Sequence, residues 1–112
     1  MVFAALARAL RGPGLSYDDV CKACQTGSHA IVDVREAGEF ASGHVPGAIN
    51  MPLSRFDATR LPSDRPVILM CLSGGRSARA LAACRGLGRN DILNYSGSYA
   101  DWCRNGGQTE RG

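Results

Sequence analysis

The chain has 112 residues, enough to bury the core of one domain and too few for two, so it can fold without a disulfide or metal staple. With 45% hydrophobic and 21% charged residues and a net charge of +3, its composition is that of an ordinary soluble globular protein. The mild positive balance, with no basic stripe interleaved with aromatics, argues against nucleic acid as a partner, and no apolar run approaches the roughly 20 residues of a membrane span.

The five cysteines form an odd set scattered among helix and strand patterns, unlike a secreted disulfide scaffold. A reducing compartment, cytoplasmic or mitochondrial, is the expectation. Residues 1–13 read as an N-terminal extension. The opening "MVFAALARALRGPGLS" holds Arg8 and Arg11 and no acid, with Phe3, Leu6 and Leu10 on one helical face. It fits either the end of an organellar transit peptide or a short segment lying on the domain. Arg8 interrupts the apolar stretch too early for a secretory signal.

A domain spanning 14–112 follows. In "LSYDDVCKACQTG", Ser16 caps a helix, Asp19 completes a capping box, Leu15 staples onto Val20, and Gly27 stops it. Ala30 to Val34 is a buried strand. "REAGEFASG" gives a short helix ending at Gly43, and after the turn "HVPG" a strand runs around Ala48 to Met51. Pro52 and Pro62 frame a helical turn and loop. Val67 to Cys71 is the most apolar strand. A helix from about Arg76 to Leu87 follows, with Ala80, Leu81, Cys84 and Leu87 on one face and Gly88 as its stop. "DILNY" is a further strand and "SYADWCRNGG" a last helix. Strands and helices in alternation predict a parallel sheet with helices on both faces. Ligands of such sheets gather at the carboxyl ends of the strands, which is where Cys71 stands.

The loop after Cys71 is "LSGG" before Arg76 and Ser77. Gly74 and Gly75 permit positive φ and leave the backbone N–H groups uncovered, so the loop can curl into an anion nest backed by a helix N-terminus. Arg76 adds a full charge at the rim. Such surroundings lower a thiol from about 8.5 to between about 3.5 and 7.5, which makes Cys71 a candidate nucleophile. The plainer reading, a small core residue ending a buried strand, accounts for the cysteine but for neither the bare loop nor the arginine.

Together these residues resemble the rhodanese-like family of sulfurtransferases, over nearly all of the chain after Gly14. "DVREAGEFASGHVPGAINMPL" resembles the family's strand–helix–turn–strand signature at Asp33, Arg35, Glu39, His44, Gly47 and Asn50. "CLSGGRS" is similar to its Cys-x-x-Gly-x-Arg-Ser loop, and Trp102 followed by Gly106 to its closing helix. The resemblance implies a three-layer α/β fold with a central, mainly parallel sheet of four to five strands. It also implies a sulfur relay. The Cys71 thiolate takes the outer sulfur of thiosulfate, releases sulfite, and holds the sulfur as a persulfide against the loop amides. The sulfur then passes to a thiol such as glutathione, to cyanide, or to a sulfur-carrier protein. In this scheme Leu72, Ser73, Gly74, Gly75 and Ser77 bind the transferred sulfur and Arg76 binds the anionic donor. Neither metal nor cofactor is implied. Two departures leave the acceptor open: Gly97–Ser98 stands where the family often has Gly-Gly, and Leu72 where it is often polar. "NYSGSYADW" is similar to eukaryotic single-domain thiosulfate sulfurtransferases.

Two alternatives share the fold. Phosphatases and arsenate reductases resemble Cys-x5-Arg, whereas four residues separate Cys71 from Arg76 here, too tight a ring for a tetrahedral oxyanion. A non-catalytic binding module typically loses the cysteine that this chain keeps. Of the remaining residues, Cys21 and Cys24 lack a fourth metal ligand at motif spacing even with His29 nearby, and read as packing. Cys84 reads as core, Cys103 as either buried or exposed, and His29 as solvated. His44 reads as a hydrogen-bonding loop residue. Asp33, Arg35 and Glu39 read as a structural ion-pair network. Trp102 and Tyr99 read as packing aromatics, with Tyr99 or Tyr95 near an acceptor entrance.

Overall fold

A computed structural model describes residues 14–112, so the arginine-bearing extension lies outside the described residues. The first helix, α1 (Tyr17–Thr26), begins as its sequence dictates. The Ser16 hydroxyl accepts the Asp19 N–H at 3.2 Å, and the Asp19 carboxylate accepts the Ser16 N–H at 2.9 Å. Gly27, at φ 68°, ends it in the left-handed region that favours glycine. This frame turns Val20 and Ala23 inward, into the apolar cluster that Leu15 also joins.

Four strands follow: β1 (Ala30–Asp33), β2 (Ile49–Asn50), β3 (Val67–Met70) and β4 (Ile92–Asn94). They pair in the order β2-β1-β3-β4, all parallel, with Val32 opposite both Ile49 and Leu69. Parallel neighbours require crossovers. These are α2 (Ala37–Ser42), two 3₁₀ turns (Leu53–Arg55 and Ala58–Arg60) and α3 (Gly75–Gly86), and α4 (Ser98–Arg104) closes the chain after β4.

Every residue of β1 and β3 is buried, the expected state of central strands covered on both faces. The pleat divides their side chains. Val32, Val67 and Leu69 meet Ala80 and Cys84 of α3, with Ala58 and Leu61 beside them. Ile31, Ile68 and Met70 meet Val20 and Ala23 of α1 and Trp102 of α4 on the other face. The result is the expected three-layer α/β arrangement, with four strands. Among the described residues no helix is long and apolar enough to cross a membrane.

Two expectations are corrected here. Leu87 does not share the apolar face of α3; it is 63% exposed. The helix stops at Gly86, so Leu87, its cap at φ −98° and ψ 9°, is no longer part of the helical repeat that places Ala80 and Cys84 inward. His29 is not solvated but buried. The turn after Gly27 carries it into the entry of β1, where its ring meets the Ser28 hydroxyl at 2.7 Å. Burial, with the Arg65 charge nearby, holds it less basic than a free imidazole.

Candidate active site

Cys71 leaves β3 at its carboxyl end and its thiol turns back toward the loop that follows. The Gly74 N–H donates to Sγ at 3.0 Å. The Ser77 hydroxyl lies between Sγ at 3.5 Å and the Gly74 carbonyl at 3.1 Å. Cys71 is 1% exposed and touches the apolar cluster under α3. Burial therefore pushes the thiol up, the largest single influence. Hydrogen bonds from the Ser77 hydroxyl and from the N–H groups of Ser77, Gly74 and Ser73 together outweigh it and bring the pKa down to about 7.

The two loop glycines do different work. Gly74 sits at φ 104°, and a Cβ there would lie 2.4 Å from the Ser96 carbonyl oxygen, so both backbone and space demand glycine. Gly75 was expected to share the positive φ and does not. It is the first residue of α3, and a Cβ on it meets no protein atom within 4 Å. Leu72, Ser73 and Gly75 are exposed, Arg76 is half-buried, and Gly74 and Ser77 are buried, so the nest has a solvent-facing lip and a closed floor.

A clamp from α4 holds the loop from beneath. The Cys71 N–H donates to the Ser98 hydroxyl at 3.1 Å, and that hydroxyl donates to the Tyr95 carbonyl at 2.7 Å. The Tyr99 and Ala100 N–H groups donate to the carbonyls of Cys71 and Leu72 at 2.9 and 3.0 Å. Ser98 is fully buried and, among the described residues, the one non-glycine at positive φ, 58°. It occupies the position where the resembled family often has its second glycine. The strain of that backbone is retained with a hydroxyl that satisfies the cysteine's own amide. Its role was not visible in the sequence beyond the departure from Gly-Gly.

Arg76 was expected at an open rim, ready for an anion. Instead its Nη1 and Nη2 reach Glu39 Oε1 and Oε2 at 2.6 and 2.9 Å, a two-pronged ion pair. Glu39 is thus a partner of the loop arginine, not a direct carboxylate partner of Arg35. The rest of the network matches its structural reading. Asp33, fully buried at the end of β1, takes Nε and Nη2 of Arg35 at 2.8 to 3.1 Å. Arg35 also donates to the Gly43 carbonyl at 2.7 Å and lies 4.1 Å from the centre of the Tyr99 ring. Asn50 ties the carbonyls of Asp33 and Arg35. His44 bonds the Phe40 carbonyl through Nδ1 at 2.8 Å and stacks on the Phe40 ring. These contacts pin α2 to the sheet and so aim Glu39 at the loop.

The remaining candidates separate cleanly. Tyr95, the residue after β4, is fully buried with its hydroxyl on Asp101 of α4, so it lines no entrance. Tyr99 is partly exposed, Cys84 is buried, and Cys103 is exposed. Cys21 and Cys24 line a cavity of about 440 Å³ with Tyr17 and Trp102, on the sheet face opposite the Cys71 side chain. No cluster of three or more metal-ligating side chains occurs among the described residues. The thiol with the lowered pKa and its hydrogen-bond donors lie at the loop, not in that cavity, which makes the loop the candidate site.

Comparison with known proteins bears on the family and the fold. A family model described as Rhodanese-like domain matches residues 16–105. A protein of Bacillus subtilis named uncharacterized protein YqhL is 39% identical over 74 residues, 64% of this chain and 59% of its own length, so the match spans less than two thirds of that relative. An Allochromatium vinosum protein named sulfurtransferase is 35% identical over 78 residues, 68% of this chain and 73% of its own. The human thiosulfate:glutathione sulfurtransferase is 27% identical over 106 residues, 80% of this chain and 92% of its own. The solved structure of a rhodanese-related protein from Thermoplasma volcanium superposes with a TM-score of 0.76 at 28% identity, over 86% of this chain and 95% of that one. At the level of the family, the relatives named sulfurtransferases support that activity.

Proposed function

Because the chain belongs to the rhodanese-like domain family, we propose that it is a sulfurtransferase that carries sulfane sulfur as a persulfide on Cys71. The observation that carries this reading is the thiol's own surroundings: a buried sulfur facing the Gly74 N–H at 3.0 Å and the Ser77 hydroxyl, with its pKa brought to about 7. The Cys71 thiolate attacks the outer sulfur of thiosulfate or a related donor. The S–S bond of the donor breaks, and sulfite departs with the electron pair. Leu72, Ser73, Gly74, Gly75 and Ser77 surround the outer sulfur of the persulfide, which is anionic and therefore suited to N–H donors. An acceptor thiolate then attacks that outer sulfur and Cys71 leaves as thiolate. Both leaving groups are stable anions, so neither half requires a general acid.

Relatives suggest the acceptors. One is the human thiosulfate:glutathione sulfurtransferase, and another is named a putative sulfur carrier protein, so glutathione or a carrier protein is the proposed recipient. The four-residue spacing before Arg76, and the engagement of that arginine by Glu39, weigh against a phosphate-ester reading. Intact-mass measurement before and after thiosulfate tests the proposal. Wild type should gain one sulfur atom and Cys71→Ser none. A gain in Cys71→Ser would move the chemistry to another thiol, and no gain in wild type with any sulfane donor would remove the proposal.

A further inference from the structure

The arginine beside the nucleophile is already neutralised. Both terminal nitrogens of Arg76 are held by Glu39, whose placement is not accidental. Glu39 stands at the third position of α2, where its Oε1 also accepts the Glu36 N–H at 3.1 Å. The helix itself is anchored through Arg35, which donates to the Glu39 and Gly43 carbonyls. The Arg76 hydrogen bonds hold the Glu39 carboxyl at about 2, so it is ionised at any working pH. The next pair inward, Asp33 with Arg35, is likewise balanced. An anion arriving at the loop therefore meets backbone N–H groups and a charge pair that sums to zero. To use Arg76 it must compete with a fixed carboxylate.

We propose that Glu39 is a specificity-determining residue that acts by charge: by cancelling Arg76 it removes the advantage a free arginine would give dianions such as thiosulfate, and so leaves sulfane donors with one negative charge at the reacting end, such as persulfides and thiosulfonates, on equal electrostatic terms with them. The proposal rests on the reading of Cys71 as the sulfur-accepting nucleophile. Coulomb energy scales with donor charge, so whatever factor the carboxylate costs a monoanion is squared for a dianion. The chemistry is unchanged. With a thiosulfonate, the Cys71 thiolate bonds to the terminal sulfur, the S–S bond breaks, and the electron pair leaves on a sulfinate.

The test compares kcat/KM for thiosulfate and benzenethiosulfonate at low salt in wild type, Glu39→Gln and Glu39→Asp. Glutamine keeps an oxygen for the Glu36 N–H and removes the charge; aspartate keeps the charge. Glu39→Gln should gain about tenfold with thiosulfate and about threefold with benzenethiosulfonate, while Glu39→Asp keeps the wild-type ratio. Equal changes with both donors, or a loss with thiosulfate, overturn the proposal. A second readout needs no sulfur transfer: protection of Cys71 from iodoacetamide by sulfate and by methanesulfonate, similar shapes of different charge. Glu39→Gln should strengthen protection by sulfate about tenfold and by methanesulfonate about threefold, and equal gains again refute it. Wild type alone gives a third measure. A neutral mouth holds its thiosulfate kcat/KM, or its protection by sulfate, within about twofold between about 10 and 200 mM salt, and a steep fall means a free cation and overturns the idea. If no donor ever loads Cys71, the sulfur-transfer reading fails, and the protection experiments still decide the charge filter.

Discussion

Deleting one hydroxyl, in Ser77→Ala, probes the thiol most directly. Ser77 is fully buried and its Oγ lies 3.5 Å from Cys71 Sγ, so the substitution removes a donor while leaving the Gly74 N–H at 3.0 Å in place. A hydrogen bond to a charged group contributes about 1.5–3 kcal/mol, and the long contact places this one at the lower end. At about 1.4 kcal/mol per pKa unit, Cys71 should rise from about 7 to about 8. At pH about 7 the thiolate fraction falls from about a half to about a tenth, so iodoacetamide alkylation should slow about fivefold there and not at all at pH about 10. Rates of Cys71 alkylation across pH about 5 to 10, read by peptide mass, check this. An inflection that stays at the wild-type position refutes the assignment of Ser77. The same pKa has a stability consequence. The folded value lies below the unfolded thiol value of about 8.5, so ionisation contributes nothing below about pH 7 and up to about 2 kcal/mol above about pH 8.5. The urea stability of wild type relative to Cys71→Ser should therefore rise from pH about 6 to pH about 9. A flat difference contradicts the lowered pKa.

The loop glycines and the clamp give further tests. Gly74→Ala puts a Cβ 2.4 Å from the Ser96 carbonyl at φ 104° and should lose about 2 kcal/mol or more in urea unfolding. Gly75→Ala meets open space inside a helix and should be neutral or gain up to about 1 kcal/mol; equal losses at both positions would refute the distinction. Ser98→Ala leaves the Cys71 N–H without its partner at an estimated cost of about 1–3 kcal/mol, whereas Ser98→Gly also relieves the left-handed backbone by about 1 kcal/mol. The alanine variant should unfold at lower urea than the glycine variant, and the reverse order would remove the strain argument.

The legible part of the site is the part that is local in the chain. Cys71, the bare loop and the start of α3 lie within seven consecutive residues, and strand apolarity followed by a glycine turn is enough to foresee a thiol facing amides. The capping box of α1 and the inward face of β3 are local in the same way. Leu87 was misplaced because a helical period says which residues share a face but not where the helix frays. His29 and Tyr95 were misplaced because burial is a property of what packs over a residue, and the covering elements come from elsewhere in the chain.

What the sequence alone determined is the alternation of strands and helices, the candidate thiol, and the amides that face it, since hydrogen bonding and apolar periodicity act over a few residues. The tertiary structure decided which distant groups complete the site. Ser98 reaches the Cys71 amide across 27 positions, and Glu39 reaches Arg76 across 37. Both meetings follow from the pairing of β1 and β4 on either side of β3, which brings the start of α2 and the start of α4 to the same strand ends as the loop. No local preference encodes that adjacency, because a side chain's charge partner is chosen by the sheet order that buries the most apolar surface.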